Sequence, residues 1–442
     1  MRETSSPQDS RGMGTVANLF PVGLGQAVRT FGYAIYYPFF ALYLRNSLHV
    51  SYGVIGLVFF FLGLLSLITL PVAGRLTDRW GRRKTYLFSL ASEAIGIVFL
   101  YLAMTVGSFT AVVVASAFLN PLANMSGPAK SAYVADWVEH SERTLGYSWI
   151  SMGGNAGFAA GVALGGVLLP FIGFQGVVLA TVLILVGIDG TLFIILDPSP
   201  TDSWLASHSH DDRRPSTPDS AGSNERRPRT SLLSGIRGAL GETLTPLRNP
   251  GLTLIAVSFL FVAILTGAFQ IALPLFANNQ LGVSYTLLGI AYSLNGLILM
   301  VGQVPLTKSF LGRRLTSIGL AGILLYAASL VLIGVSGLLK TDLTLVFLAG
   351  ISVLSIGEIL VSVPQNTLPS NLTDRVSSGR YNAMMQTFTL SGSIVSLLFA
   401  GLLLSIITNP ALLWVLFVSP ALPAVVTLLM AARRIPAVAN RA

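Results

Sequence analysis

Twelve apolar runs nearly exhaust this chain, lying near residues 18–44, 52–73, 85–106, 109–136, 147–170, 173–196, 251–277, 286–307, 315–338, 343–367, 381–406 and 411–432. A helix needs about 20 apolar residues to cross the hydrocarbon core of a bilayer, and each run is that long. Strands of a membrane barrel would instead alternate apolar and polar positions over about ten residues. Charged residues make up 10% of the 442 and hydrophobic ones 53%, with a mean hydropathy of +0.73. A soluble domain carries roughly a quarter charged residues, so this surface suits lipid and not water. The expected fold is an all-α integral membrane protein with twelve spans, and no length remains for a soluble catalytic domain.

The formal net charge is +9, but its distribution argues against nucleic acid. Arg75, Arg79, Arg82, Arg83, Lys84, Arg143, Lys308, Arg313, Arg314, Arg375 and Arg380 all fall in loops on one side of such a topology. The loops of the other side carry only Arg45 and Lys340. That asymmetry is the positive-inside rule, and it predicts both termini in the cytoplasm of a cell (plasma or inner) membrane protein. Residues 1–16 are polar and run directly into the first span, so no cleavable leader is expected. With no cysteine there is neither a disulfide framework nor a thiolate metal site. No cofactor or metal is expected, and the chain reads as a monomer.

The chain is also duplicated. Val50–Gly56 reads VSYGVIG and Val283–Gly289 reads VSYTLLG, and prolines recur as Pro38/Pro274, Pro71/Pro305 and Pro128/Pro364 at offsets of 234 to 236. A charged, glycine-framed turn recurs too, as Gly74–Lys84 (GRLTDRWGRRK) and Pro305–Arg314 (PLTKSFLGRR). Six helices per half preserve orientation, so the repeats are parallel. The expected organisation is a tail at 1–16, a first six-helix bundle at 17–196, a linker at 197–250, a second bundle at 251–433 and a tail at 434–442. The linker is polar and disordered in expectation, then amphipathic from Leu232 to Leu247.

On these motifs the chain resembles the major facilitator superfamily over essentially its whole length. GRLTDRWGRRK is similar to that family's signature between helices 2 and 3, with Gly74, Asp78, Arg79, Gly81, Arg82 and Arg83 at its positions; Gly312 and Arg313 keep the end of the second copy. The resemblance implies that Asp78 caps helix 11, near Arg380, and that Arg82 meets Asp136 at the end of helix 4. Such contacts would hold the halves closed and break when the site opens inward; the plainer reading is topology and lipid phosphate contact. In helix 5, Gly157–Gly166 is similar to the family's antiporter motif, except that Val162 stands where the family has proline. Helix 4 lacks the arginine many members carry and offers Asn120 and Asn124. Close helix packing is the local reading of the helix 5 glycines.

A charge at membrane depth costs about 2.5–3.5 kcal/mol on insertion scales, so each needs a reason. The candidates are Arg29, Glu93, Lys130, Asp189 and Glu358, and no histidine lies within a span. The resemblance implies that helices 1, 4, 7 and 10 line a central cavity. On that footing Glu358 takes up a proton or binds a cationic group, and Arg29 binds an anion or pairs with Glu358. Glu93 and Asp189, with Lys130 near their level, form either a structural cluster or a proton relay. Polar stripes complete the site: Gln26, Arg29, Tyr33 and Tyr37; Asn120 and Asn124; Gln270; and Glu358 with Gln365. Tyrosines and amides beside one acid suit an amphipathic or cationic organic substrate.

The resulting expectation is a secondary transporter working by alternating access, with proton-coupled export of small organic molecules or drugs, or proton-coupled uptake of a metabolite, as its activity. No phosphate-binding GxxxxGK[ST] loop is present, so ATP is not the direct energy source. A membrane enzyme would need a nucleophile or metal cluster that a chain without cysteine or intramembrane histidine does not supply.

Overall fold

A computed structural model describes residues 7–137, 143–196, 249–336, 343–372 and 378–441. Residues 138–142, 197–248, 337–342 and 373–377 lie outside them, and with them the expected amphipathic helix, Lys340 and Arg375. The described residues are almost wholly helical: α1 Pro7–Tyr36, α2 Phe40–Asn46, α3 Tyr52–Trp80, α4 Arg82–Val106, α5 Phe109–Asn124, α6 Ser126–Trp137, α7 Arg143–Ile195, α8 Pro250–Asn279, α9 Tyr285–Ser309, α10 Leu315–Val335, α11 Leu343–Asn371, α12 Ser378–Ile406, α13 Pro410–Val418 and α14 Ala421–Ala432.

Ten helices among the described residues are long and apolar enough to cross a membrane. One of them, Ile150–Ile195, has 46 residues, about twice what one crossing takes. It reverses at Gly173, whose φ of 66° and ψ of 178° leave the helical region and suit a residue without Cβ. Counting its two limbs separately, and joining α1 to α2 through the Tyr37–Phe39 turn, gives twelve crossings in two groups of six. Pro38 makes that turn because it cannot donate to the helical ladder.

At some helix ends a side chain or a glycine satisfies the free backbone groups. Asn249 Oδ1 accepts from Gly251 N at 3.0 Å and Leu252 N at 3.3 Å at the start of α8. Gly81, between α3 and α4, has φ 95°, and its counterpart Gly312 has φ 78°. Both repeat turns therefore use the left-handed region that glycine enters without strain. These turns mark one face of the bundle, here the Gly81 face; residues 47–51 mark the opposite Ser47 face.

The two halves meet through small residues. A Cβ on Gly56 of α3 would lie 2.7 Å from Gly401 Cα of α12, and one on Gly166 of α7 would lie 2.8 Å from Gly289 Cα of α9. Gly56 and Gly289 are equivalent in the repeat, so the duplicated unit makes one contact twice. Both contacts lie toward the Ser47 face. Within the first half, Cβ atoms on Gly157, Gly161 and Gly165 would run into the carbonyl oxygens of Ala27, Phe31 and Ile35. The antiporter-like glycines are thus a close-packing seam between α7 and α1.

Candidate functional site

Three constellations carry the polar chemistry. The first is a cavity of about 160 Å³. Tyr33, Tyr36, Tyr37 and Phe40 line it from the first crossing, Phe59, Gly63 and Ser66 from α3, Asn120 and Asn124 from α5, and Leu397 from α12. The Tyr33 and Tyr37 rings stack at 4.4 Å between centroids, and Asn124 Nδ2 donates to Ser66 Oγ at 3.0 Å. Tyrosine hydroxyls, amides and serines give the cavity hydrogen-bonding groups on an aromatic wall, with no charged side chain in its lining.

Toward the Ser47 face the aromatics continue as a ladder. Phe40 stacks on Tyr43, Tyr43 meets Phe174 edge-on at 5.4 Å, and Phe174 meets Tyr285 of the second half at 5.8 Å. Asn46 Nδ2 donates to both Asn278 Oδ1 and Tyr285 Oη, each at 3.0 Å. This ladder and the paired glycines close the halves on that face.

The second constellation is ionic. Arg29 of α1 is in direct contact with Glu93 of α4 through Nη2, and its Nε lies 3.8 Å from Asp189 Oδ1 of α7. All three side chains are at most 8% exposed. Lys130 Nζ donates to Gln26 Oε1 at 2.6 Å, and Gln26 Nε2 donates to Thr30 Oγ1 at 2.9 Å. Val22, Tyr86, Leu90, Tyr133, Leu192 and Leu196 form an apolar layer between this group and the Gly81 face. The third constellation is in the second half, where Asn295 Nδ2 donates to Glu358 Oε2 at 3.1 Å and to Ser355 Oγ at 3.0 Å.

These positions revise the expected site. Arg29 pairs with Glu93 and Asp189 and not with Glu358, because α1 packs along α7 and the Glu358 side chain is held by α9. The cavity takes its lining mainly from the first, second and fourth crossings, with Leu100 of α4 and Leu397 of α12 added and no residue of α8 or α11. Gly63 and Ser66 on α3 supply the room, which stripes on the first and fourth crossings alone did not signal. Gln270 is exposed on α8, and Gln365 Nε2 donates to Thr389 Oγ1 at 3.4 Å, away from the cavity lining.

At the Gly81 face, Arg82 Nε lies 3.1 Å from Asp136 Oδ2. Arg83 Nε donates to Leu196 O at 2.6 Å and its Nη2 to Phe193 O at 3.2 Å, so it caps the C-terminal end of α7. Arg79 and Lys84 are exposed, Gly74 has open space around it, and Arg313 lies over the Phe310 ring at 5.4 Å. The side chains of Asp78 and Arg380 lie outside the described residues, and so does their expected contact.

A family model described as Major Facilitator Superfamily matches residues 22–397. Among relatives, the multidrug resistance protein MdtG of Yersinia enterocolitica is 30% identical over 189 residues, 41% of this chain and 43% of that protein. An uncharacterized MFS-type transporter, YttB of Bacillus subtilis, is 23% identical over 386 residues, 86% of each chain. The lactose permease of Citrobacter freundii is 28% identical over 138 residues, 30% of this chain and only a third (33%) of that protein. Among solved structures, a bacterial homologue of the iron transporter ferroportin in its inward-facing state superposes with a TM-score of 0.69 at 14% identity, covering 95% of this chain and 99% of that one. The nucleoside transporter NupG does so with 0.68 at 13%, covering 94% and 99%. At these identities the structural likeness speaks for the fold alone.

Proposed function

This chain belongs to the major facilitator superfamily and is a multi-pass secondary transporter of a small molecule, and from that premise we propose that it exports amphipathic organic molecules in exchange for protons. The family is one of transporters and not of enzymes. The observation that carries the reading is the aromatic and amide-lined cavity, which sits against the interface of the halves and beside the buried charges of α1, α4 and α7. Stacked tyrosines suit a flat or cationic organic body, while Asn120, Asn124 and Ser66 suit its polar edge.

In this reading the basic Gly81 face is cytoplasmic, together with both termini. Among the described residues the backbone contacts and the aromatic ladder between the halves lie toward the Ser47 face, and in this reading that is the closed outer face and the site loads from within. Arg82 with Asp136, and Arg83 on the end of α7, brace the inner rim that moves when the halves rock. The spans hold three acids, Glu93, Asp189 and Glu358, so a transported proton uses one of them. The 30% identity to a multidrug resistance protein agrees with export.

Uptake by proton symport is the second reading, favoured by the stretch similar to lactose permease. Direction separates the two. Inside-out vesicles with an acidic lumen should accumulate ethidium if the chain exports by antiport. Accumulation in right-side-out vesicles under an outside-acid gradient would establish uptake, and transport in neither orientation would sink the proton-coupled carrier.

A further inference from the structure

Arg29 faces two carboxylates and satisfies them unequally. Its Nη2 is taken by Glu93, and the 3.8 Å from Nε to Asp189 Oδ1 is beyond hydrogen-bonding reach. Among the described residues neither Asp189 oxygen accepts a hydrogen bond, although both are buried. The groups around it offer no remedy. Lys130 of α6 spends its ammonium on Gln26, and Glu93 of α4 adds a second negative charge. The hydroxyl of Tyr86, on α4, is buried facing Arg29, and it gives Asp189 no hydrogen bond. Tyr133 of α6 is buried in the apolar layer above, and Arg83 is bound to the carbonyls at the end of α7.

A buried carboxylate that accepts no hydrogen bond is costly even beside a cation, and neutralising it by one proton lowers that cost. Glu358 differs in this respect, because its carboxylate already receives the Asn295 amide. The ionic group also connects with the cavity. Arg29 and Tyr33 lie one turn apart on α1, about 6 Å along the axis, and Tyr33 stacks on Tyr37 in the cavity wall.

We propose that Asp189 is the proton-binding residue of the transport cycle. When it takes a proton, Arg29 faces a single charged partner, Glu93; when it releases the proton, Arg29 is shared between two. The position of Arg29 on α1 then depends on protonation, and Tyr33 carries that difference to the substrate cavity. The inference rests on the proton-coupled reading above and names the group that performs it.

Infrared difference spectroscopy on the purified full-length protein tests it without a substrate. Raising the pH from about 5 to 9 should bleach one protonated-carboxyl band. The band should be absent in Asp189→Asn, present in Glu358→Gln, and restored at a shifted frequency in Asp189→Glu, each variant being monodisperse on gel filtration. A band that persists unchanged in Asp189→Asn, or that vanishes in Glu358→Gln, overturns the assignment. In proteoliposomes Asp189→Asn should exchange ethidium across the bilayer yet lose accumulation against a gradient. Gradient-driven accumulation that survives in Asp189→Asn also overturns the assignment, whereas a wild type that never accumulates ethidium defeats the coupling reading itself.

Discussion

Gly56 and Gly401 meet backbone to backbone across the two halves, so closely that a Cβ on Gly56 would also lie 2.8 Å from the Leu397 carbonyl oxygen. No side chain separates the halves there, and the closed Ser47 face depends on that. Overpacking a tight contact costs about 1–3 kcal/mol, and each 1.4 kcal/mol is a tenfold shift in an equilibrium. Gly401→Val should therefore shift the population toward a state open at the Ser47 face by about tenfold or more. The chain has no cysteine, so maleimide labelling of a single Asn46→Cys reporter, half-buried against Asn278 of the other half, measures this. Equal labelling rates with and without Gly401→Val would show that the glycine contact does not hold this face.

Arg82 and Asp136 form a half-buried pair whose side chains are 19% and 13% exposed. Removing either charge leaves the other poorly solvated, so Arg82→Ala and Asp136→Ala should each lower the thermal midpoint. The double variant should lose less than the sum, with a coupling of about 1 kcal/mol. Strict additivity in thermal unfolding of the four proteins would remove the pair from the inner rim.

Asn440, close to the end of the chain, caps a helix that has no cap of its own. Arg314, at the N-cap of α10, makes no side-chain cap bond. Asn440 supplies it instead: its Oδ1 accepts from Thr316 N at 2.9 Å and its carbonyl from Leu315 N at 2.9 Å. Asn440→Ala should cost about 1 kcal/mol, the usual worth of an N-cap. Asn440→Asp should cost less, because it keeps the acceptor and loses only the 2.9 Å bond to Thr316 Oγ1. An unchanged unfolding midpoint in Asn440→Ala would mean that water caps α10 equally well.

The stacked Tyr33 and Tyr37 rings predict a binding contribution separable from turnover. An aromatic contact is worth about 0.5–1.5 kcal/mol beyond area burial, so Tyr37→Ala should weaken ethidium binding several-fold. Tyr37→Phe should keep most of it, and the maximal transport rate should change little in either. A fall in rate at unchanged KM would place Tyr37 in the moving parts instead of the binding wall.

The residues differ in how far the sequence exposed their roles. Gly81 and Gly312 were legible as repeat turns, since the basic cluster and glycine frame are local signals, and their positive φ follows from that role. Tyr33, Tyr37, Asn120 and Asn124, which line one cavity, were legible as candidates because polar side chains in apolar helices announce themselves. Gly63, Ser66 and Phe59 of α3 were not, since small and aromatic residues there look like ordinary packing. Asn440 was hidden for another reason: a polar residue near a chain end carries no sign of the helix it caps.

The number of crossings, the duplication, the charge asymmetry and the family signature were all determined by the sequence itself. The crossings depend on how some twenty consecutive side chains partition between lipid and water, and the other three on the order of residues alone, so none needs to know which helices pack together. The partners of the intramembrane charges were decided only by the tertiary structure. Arg29 pairs with Glu93 and Asp189, and Glu358 with Asn295, because of how helices pack side by side, and no spacing along one helix encodes which neighbour it meets. The glycines of α7 and α1 set that arrangement by letting two backbones touch, and the buried ions take the partners the packing brings.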